Sequence, residues 1–220
     1  MSERRGPRAV AADLGQRPVS LLAASVRGRF DGAPLTWTVF ALSVWVFALE
    51  AAAALYLGTG TRAVVATLFV RAPWVAWPLA PVLHQRLGHL AANAAVLYVA
   101  APVEARIGRW DAAGLFLAGG VLPLYVEGAK LWLLAGDPHV AAYGASAFGF
   151  GLLGCGLALA LDADWTLTPR WWLVTLTGVA AVLVVTVDVV TALGAPMAMN
   201  LGHLGGLLAG VAVGVATDSE

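Results

Sequence analysis

Charged residues are scarce in this chain: 12% of 220, against about 25% in an ordinary soluble domain. So little polar surface cannot cover a water-facing globule, which excludes a soluble enzyme and a disordered chain. Net charge is also absent. The 13 basic and 13 acidic residues balance, so no excess of charge draws the protein to nucleic acid. The single cysteine, Cys155, can close no internal disulfide or cysteine metal cage, and its apolar setting reads as core. A cleavable signal is not expected in the first thirty residues either. They are polar and arginine-rich with no early apolar stretch, and residues 1–34 are expected to form a cytoplasmic tail.

What the chain does have is apolar length. Hydrophobic residues make up 60% of it, and a helix crosses the hydrocarbon core in about 20 residues. Six segments are long enough: Leu35–Leu57, Ala80–Val103, Ala112–Leu134, Gly144–Leu161, Trp171–Leu193 and Met199–Ala216. The predicted fold class is all-α, a six-helix membrane domain over residues 35–217 with a short tail at 218–220. Gly58–Leu79 is too apolar for a water-exposed loop but is broken by Pro73, Pro78 and the nearby Pro81; it is expected to rest in the outer interface. No internal repeat or low-complexity tract is evident.

Arginines set the expected orientation. With the amino terminus inside, Arg4, Arg5, Arg8, Arg17, Arg27, Arg29, Arg106, Arg109 and Arg170 face the cytoplasm. Only Arg62, Arg71 and Arg86 face out, with Lys130 near an outer helix end. Both termini are therefore predicted on the cytoplasmic side of a cell membrane. Tryptophans mark the same boundaries, with Trp110, Trp165, Trp171 and Trp172 at inner ends and Trp74, Trp77 and Trp132 at outer ends.

Inside a membrane the polar residues are informative, because burying them without partners costs several kcal/mol, on the order of one lost hydrogen bond or more each. The second span carries His84, His89 and Asn93; the fourth opens with Gly144, Ala145 and Ser146; the sixth opens with Asn200, Leu201, Gly202 and His203. All three spans run from outside to inside, so these residues share one outer layer. His89 and Asn93, at i and i+4, lie on one helix face. His84, five residues before His89, would be turned away from it by a regular helix. Gly202, Gly206, Gly210 and Gly214 form a small-residue ridge, and such ridges let membrane helices approach closely. Spans four and six are therefore expected to touch, with Ser146 beside His203. A serine hydroxyl becomes a nucleophile when an adjacent base takes its proton. Backbone N–H groups at the start of the fourth span, with His89 and Asn93, would supply donors for an oxyanion. The set fits acyl transfer.

At this point the residues resemble a known family. His84-x4-His89-x3-Asn93, then Gly144-x-Ser146, then His203-x-x-Gly206, is similar to the pattern of the rhomboid intramembrane serine proteases. Pro73-Trp74 and Glu104-x3-Gly108-Arg109 are further matches, so the likeness runs from about Pro73 to the end of the sixth span. The resemblance implies a Ser–His dyad of Ser146 and His203, with His89, Asn93, His84 and Gly144 in oxyanion or substrate-binding positions. It implies membrane-protein substrates cut in or near a transmembrane segment, and no metal or cofactor. Two departures stand out. Ala147 follows Ser146 where many members have glycine, and is expected to crowd the oxyanion pocket. Val75 follows Trp74 where many have arginine, which is expected to loosen the outer loop.

Other readings exist for the same residues. A catalytically silent relative would bind membrane helices without cutting them, though that class typically lacks the serine or histidine. A metalloprotease needs H-E-x-x-H, whereas His84 and His89 have the wrong spacing and no glutamate between them. A small ion or proton transporter would use the intramembrane charges Glu50, Glu127, Asp188 and Lys130, of which Glu127 and Lys130 are spaced to pair. His139 reads as a solvated loop residue.

Overall fold

A computed structural model of the chain describes residues 26, 28–135, 143–162, 168–195, 197 and 199–218. Expectations for residues 1–25, Arg27, His139 and Trp165 fall outside them. The first long helix, α1 (Pro34–Tyr56), begins with proline at its first turn, where no N–H is missed. Its next donors are capped from a distance. The Glu104 carboxylate accepts from Leu35 N at 2.9 Å and from Thr36 N and Oγ1 at 2.6 Å each. Glu104 and Thr36 are fully buried, so this charge is held by three donors rather than by water.

Two short helices follow, α2 (Thr61–Arg71) and α3 (Pro73–Leu79), divided by Pro73. With 11 and 7 residues, neither reaches the ~20 a crossing needs. A single 3₁₀ turn, Ala80–Val82, leads into an extended stretch, and α4 (Leu87–Ile107) starts only there. The expected start at Ala80 is thus corrected by seven residues. Pro81 sits in the tight turn, and Leu83 and Arg86 adopt extended backbone. Near the other end, Pro102 cannot donate to the Tyr98 carbonyl. The Arg29 guanidinium supplies that donor, its Nε 2.9 Å from Tyr98 O and its second nitrogen 2.7 Å from Val99 O. Gly108, at φ 86°, ends the helix in a conformation few other residues adopt.

The chain then climbs through α5 (Arg109–Leu115), a π-helical stretch (Phe116–Val121) and α6 (Leu122–Ala135). Pro123 explains the interruption: it has no N–H for the Gly119 carbonyl four residues back. The remaining helices are α7 (Ser146–Asp162), α8 (Pro169–Ala192) and α9 (Leu201–Asp218).

Helix α7 is the centre of the molecule. Phe148, Leu152, Leu153, Cys155 and Leu159 are buried, and α7 packs against α4, α8, α9 and the π-helical stretch. Its closest partner is α9, because glycines remove the side chains between them. A Cβ at Gly206 or Gly210 would run into the carbonyls of Ala147 or Gly151, and one at Gly154 into that of Leu207. The expected contact of these two helices is present, along the expected ridge.

Apolar side chains face outward as well as inward. Trp45, Leu55, Leu176, Leu183, Val187 and Val190 are exposed on α1 and α8. Among the described residues, four helices are long and apolar enough to cross a membrane: Pro34–Tyr56, Leu87–Ile107, Arg109–Leu134 and Pro169–Ala192. Ser146–Leu161 and Leu201–Thr217 are apolar but shorter. A chain with several such helices is a multi-pass membrane protein by length and composition.

Candidate active site

One side chain, Asn93, joins both histidines of the second polar set. Its Nδ2 lies 2.8 Å from His84 Nε2 and 3.3 Å from His89 Nε2. His84 is fully buried and places Nδ1 2.9 Å from the Val82 carbonyl. That carbonyl can only accept, so Nδ1 carries the hydrogen and Nε2 accepts from the Asn93 amide. The reading that a helix turns His84 away from His89 is therefore corrected. His84 lies in the extended stretch before α4, and the two rings come within 5.1 Å of each other, centroid to centroid. In this arrangement both Nδ2 hydrogens of Asn93 are engaged, the one towards His89 more loosely.

Gly144 closes against the same cluster. Its N–H donates to the Ala80 carbonyl at 2.7 Å, tying the start of α7 to the 3₁₀ turn. At φ 107° it stands where a side chain is strained, and a Cβ would lie 2.8–3.0 Å from His89 and Asn93. Glycine therefore keeps open the space beside their polar atoms. Two residues on, Ser146 is the first residue of α7, where the leading N–H groups have no intrahelical acceptor.

His203 comes from the first turn of α9, and that turn is fixed from two sides. Asn200 caps it, its Oδ1 accepting from His203 N at 3.0 Å. Glu127 on α6 accepts from Leu201 N at 2.7 Å, bringing a carboxylate to a helix amino terminus where negative charge is favoured. The other Glu127 oxygen is 2.7 Å from Lys130, as the spacing predicts, and Lys130 also donates to the Met199 carbonyl. The His203 ring lies flat on Phe150, with centroids 4.2 Å apart and planes 3° apart. Phe150 is one turn below Ser146 on α7, so the stack holds the imidazole beside the serine's helix face.

These elements enclose a cavity of about 250 Å³. His89, Tyr143, Ser146, Ala147, Asn200 and His203 are among its lining residues. A hydroxyl, an imidazole, a second imidazole and free helix N–H groups on one small cavity can run nucleophilic acyl transfer. No hydrogen bond joins Ser146 to His203 among the described residues, and such contacts commonly tighten only with substrate in place. Among the described residues, no group of His, Cys, Asp and Glu is arranged to hold a metal ion.

The rhomboid domain profile matches residues 71–219, from the end of α2 to just past α9. The chain belongs to the rhomboid family. No curated protein and no solved structure matches it.

The two departures from the common rhomboid pattern have visible surroundings. Ala147 is buried and lines the cavity, and its methyl faces Gly202, where a Cβ would stand 3.8 Å away. The segment that carries Val75 is braced by rings. Phe69 meets Trp77 edge-on at 5.4 Å, Trp77 meets Tyr125 at 5.5 Å, and the Trp77 ring occupies the room left by Gly128. Four residues of this rhomboid site were not singled out in the sequence: Phe150, Tyr143, Glu127 as a helix cap and Asn200 as a cap. Only the Asn200 cap had a legible signal, since Asn200 stands three residues before His203 at a helix start.

Proposed function

We propose that this rhomboid is an intramembrane serine endopeptidase that cuts membrane proteins in or near their transmembrane segments. The observation that carries this is the shared cavity of Ser146, His203 and His89, with Asn93 bonded behind it. The proposal includes six spans over residues 35–217, both termini cytoplasmic and the cavity opening outward. The arginine asymmetry supports that orientation. The segment 58–79 lies in the outer interface in this reading.

Catalysis begins with His203 neutral. Its Nε2 takes the Ser146 hydroxyl proton as Oγ attacks the scissile carbonyl carbon. The carbonyl oxygen gains the charge and displaces the looser contact between Asn93 and His89. Asn93 Nδ2 then donates to the oxyanion, and His89, whose ring lines the same cavity, is the second side-chain donor. N–H groups at the start of α7 complete the set. His203 passes its proton to the leaving amine as the C–N bond breaks. Water, deprotonated by His203, attacks the acyl carbon; the C–Oγ bond breaks, the carboxyl product leaves, and His203 returns the proton to Ser146 Oγ. Substrates are single-pass membrane proteins whose helix unwinds readily at the cut.

Ser146, His203 and His89 on one cavity, with both the serine and the histidine present, favour this over the silent, helix-binding reading. Reconstituted vesicles holding the full chain and a panel of single-pass reporters with Gly- or Pro-containing membrane segments test it. Cleavage of at least one reporter is expected with the parent and none with Ser146→Ala or His203→Ala. Cleavage that persists in either pure variant overturns the dyad.

A further inference from the structure

The imidazole of His203 has one ring nitrogen left over. Nδ1 is buried and has no hydrogen-bond partner. Its nearest charged neighbour is Asp188 Oδ2 on α8, 3.6 Å away, just beyond hydrogen-bond length. Other groups near the ring are already engaged. Glu127 divides its oxygens between Lys130 and Leu201 N, and Asn200 Oδ1 holds the His203 backbone N–H. His89 faces Asn93. Phe150 covers one ring face, which leaves Nδ1 only an in-plane partner.

Asp188 is as conspicuous from its own helix. The hydroxyls of Thr175, Thr177, Thr186 and Thr191 each return to the carbonyl four residues back, satisfying themselves on a helix with exposed apolar neighbours. Asp188 has no such internal outlet. It is the only acidic residue of α8, and its side chain is 25% exposed between the exposed Val187 and Val190. A carboxylate within a membrane helix is costly unless it faces a partner or a cavity.

From these placements we propose that Asp188 is a positioning residue: it accepts from His203 Nδ1–H, fixes that tautomer, and leaves Nε2 free to take the Ser146 proton. The proposal rests on the dyad reading above and extends it to a third member supplied by α8. A side-chain rotation of a fraction of an ångström closes the gap to hydrogen-bond length. The proton moves from Ser146 Oγ to His203 Nε2, Nδ1 keeps its own, and Asp188 stays ionised beside the imidazolium that forms. Glu127 from α6 and His89 from α4 are the other titratable groups that face His203.

The test uses the full chain in detergent with histidine labelled by ¹⁵N at both ring nitrogens, the His203 signals being assigned with His203→Gln. Acylation by a fluorophosphonate is timed on the same samples, and thermal unfolding identifies folded variants. The parent is expected to hold its proton on Nδ1. Asp188→Asn is expected to lose that preference and to slow acylation at least tenfold, with Asp188→Glu recovering much of both. Asp188→Ser is the second uncharged variant should Asn not fold. Unchanged tautomer and unchanged acylation in a folded uncharged variant overturn the proposal. An unreactive parent that still shows the Asp188-dependent tautomer supports the contact and overturns the dyad reading instead.

Discussion

Asn93 links more of the site than either histidine it touches. It is 4% exposed, bonded to His84 and His89, and packed against Gly144. Replacing it by alanine removes one oxyanion donor and leaves His84 Nε2 buried without a partner. The expected loss in acylation rate is about 10²–10³-fold, with an unfolding penalty of about 1–3 kcal/mol for the orphaned acceptor. Rate measurements beside thermal unfolding separate the two. A variant that acylates at the parental rate contradicts the oxyanion role. At this scale the sequence was partly legible. His89 and Asn93 share a face by simple i, i+4 spacing, but His84 does not follow from spacing. It meets them because Pro81 and the extended Leu83 and Arg86 halt the helix, which a run of apolar residues does not reveal. Phe150 reads as one more core aromatic until the His203 ring is seen lying on it.

At the scale of elements, α7 and α9 depend on absent side chains. Gly206, Gly210 and Gly214 of α9 each face backbone atoms of α7, and Gly154 of α7 faces Leu207 of α9. The proposed dyad members, Ser146 and His203, stand at the amino-terminal ends of these two helices, so helix separation sets their distance. Gly210→Val overfills the contact, about two turns from the site. It is expected to destabilise the protein by roughly 1–3 kcal/mol and to slow acylation while Ser146 and His203 remain intact. Unfolding midpoints and acylation rates on the purified variant check this; parental values for both contradict the close packing. The glycine ridge was legible because its every-fourth spacing survives any error in helix ends. The π-helical turn was not, since a proline at position 123 predicts a break without saying that the helix widens to bridge it. Nor was the Glu127 cap on α9, because that carboxylate reaches Leu201 from 74 residues away.

Across the whole molecule, three polar clusters separated in sequence converge on one cavity, while carboxylates fasten helix starts from neighbouring helices. Glu104 holds α1 and Glu127 holds α9, each satisfying donors that a membrane helix cannot leave to water. Segment order and apolar length were readable because a membrane imposes one dominant constraint, helix length. The segment 58–79 was harder, since its two short helices are too short to cross and too apolar to resemble a loop. Convergence of the clusters is the account's central claim, and it makes Ser146 reactive only in the assembled bundle. The most direct measurement treats detergent-purified protein with a fluorophosphonate and reads intact mass, beside Ser146→Ala and a heat-unfolded parent. The account predicts one adduct on the folded parent, localised to Ser146, insensitive to chelator and missing from both controls. A folded parent that gains no adduct, or an adduct that persists in Ser146→Ala, contradicts it.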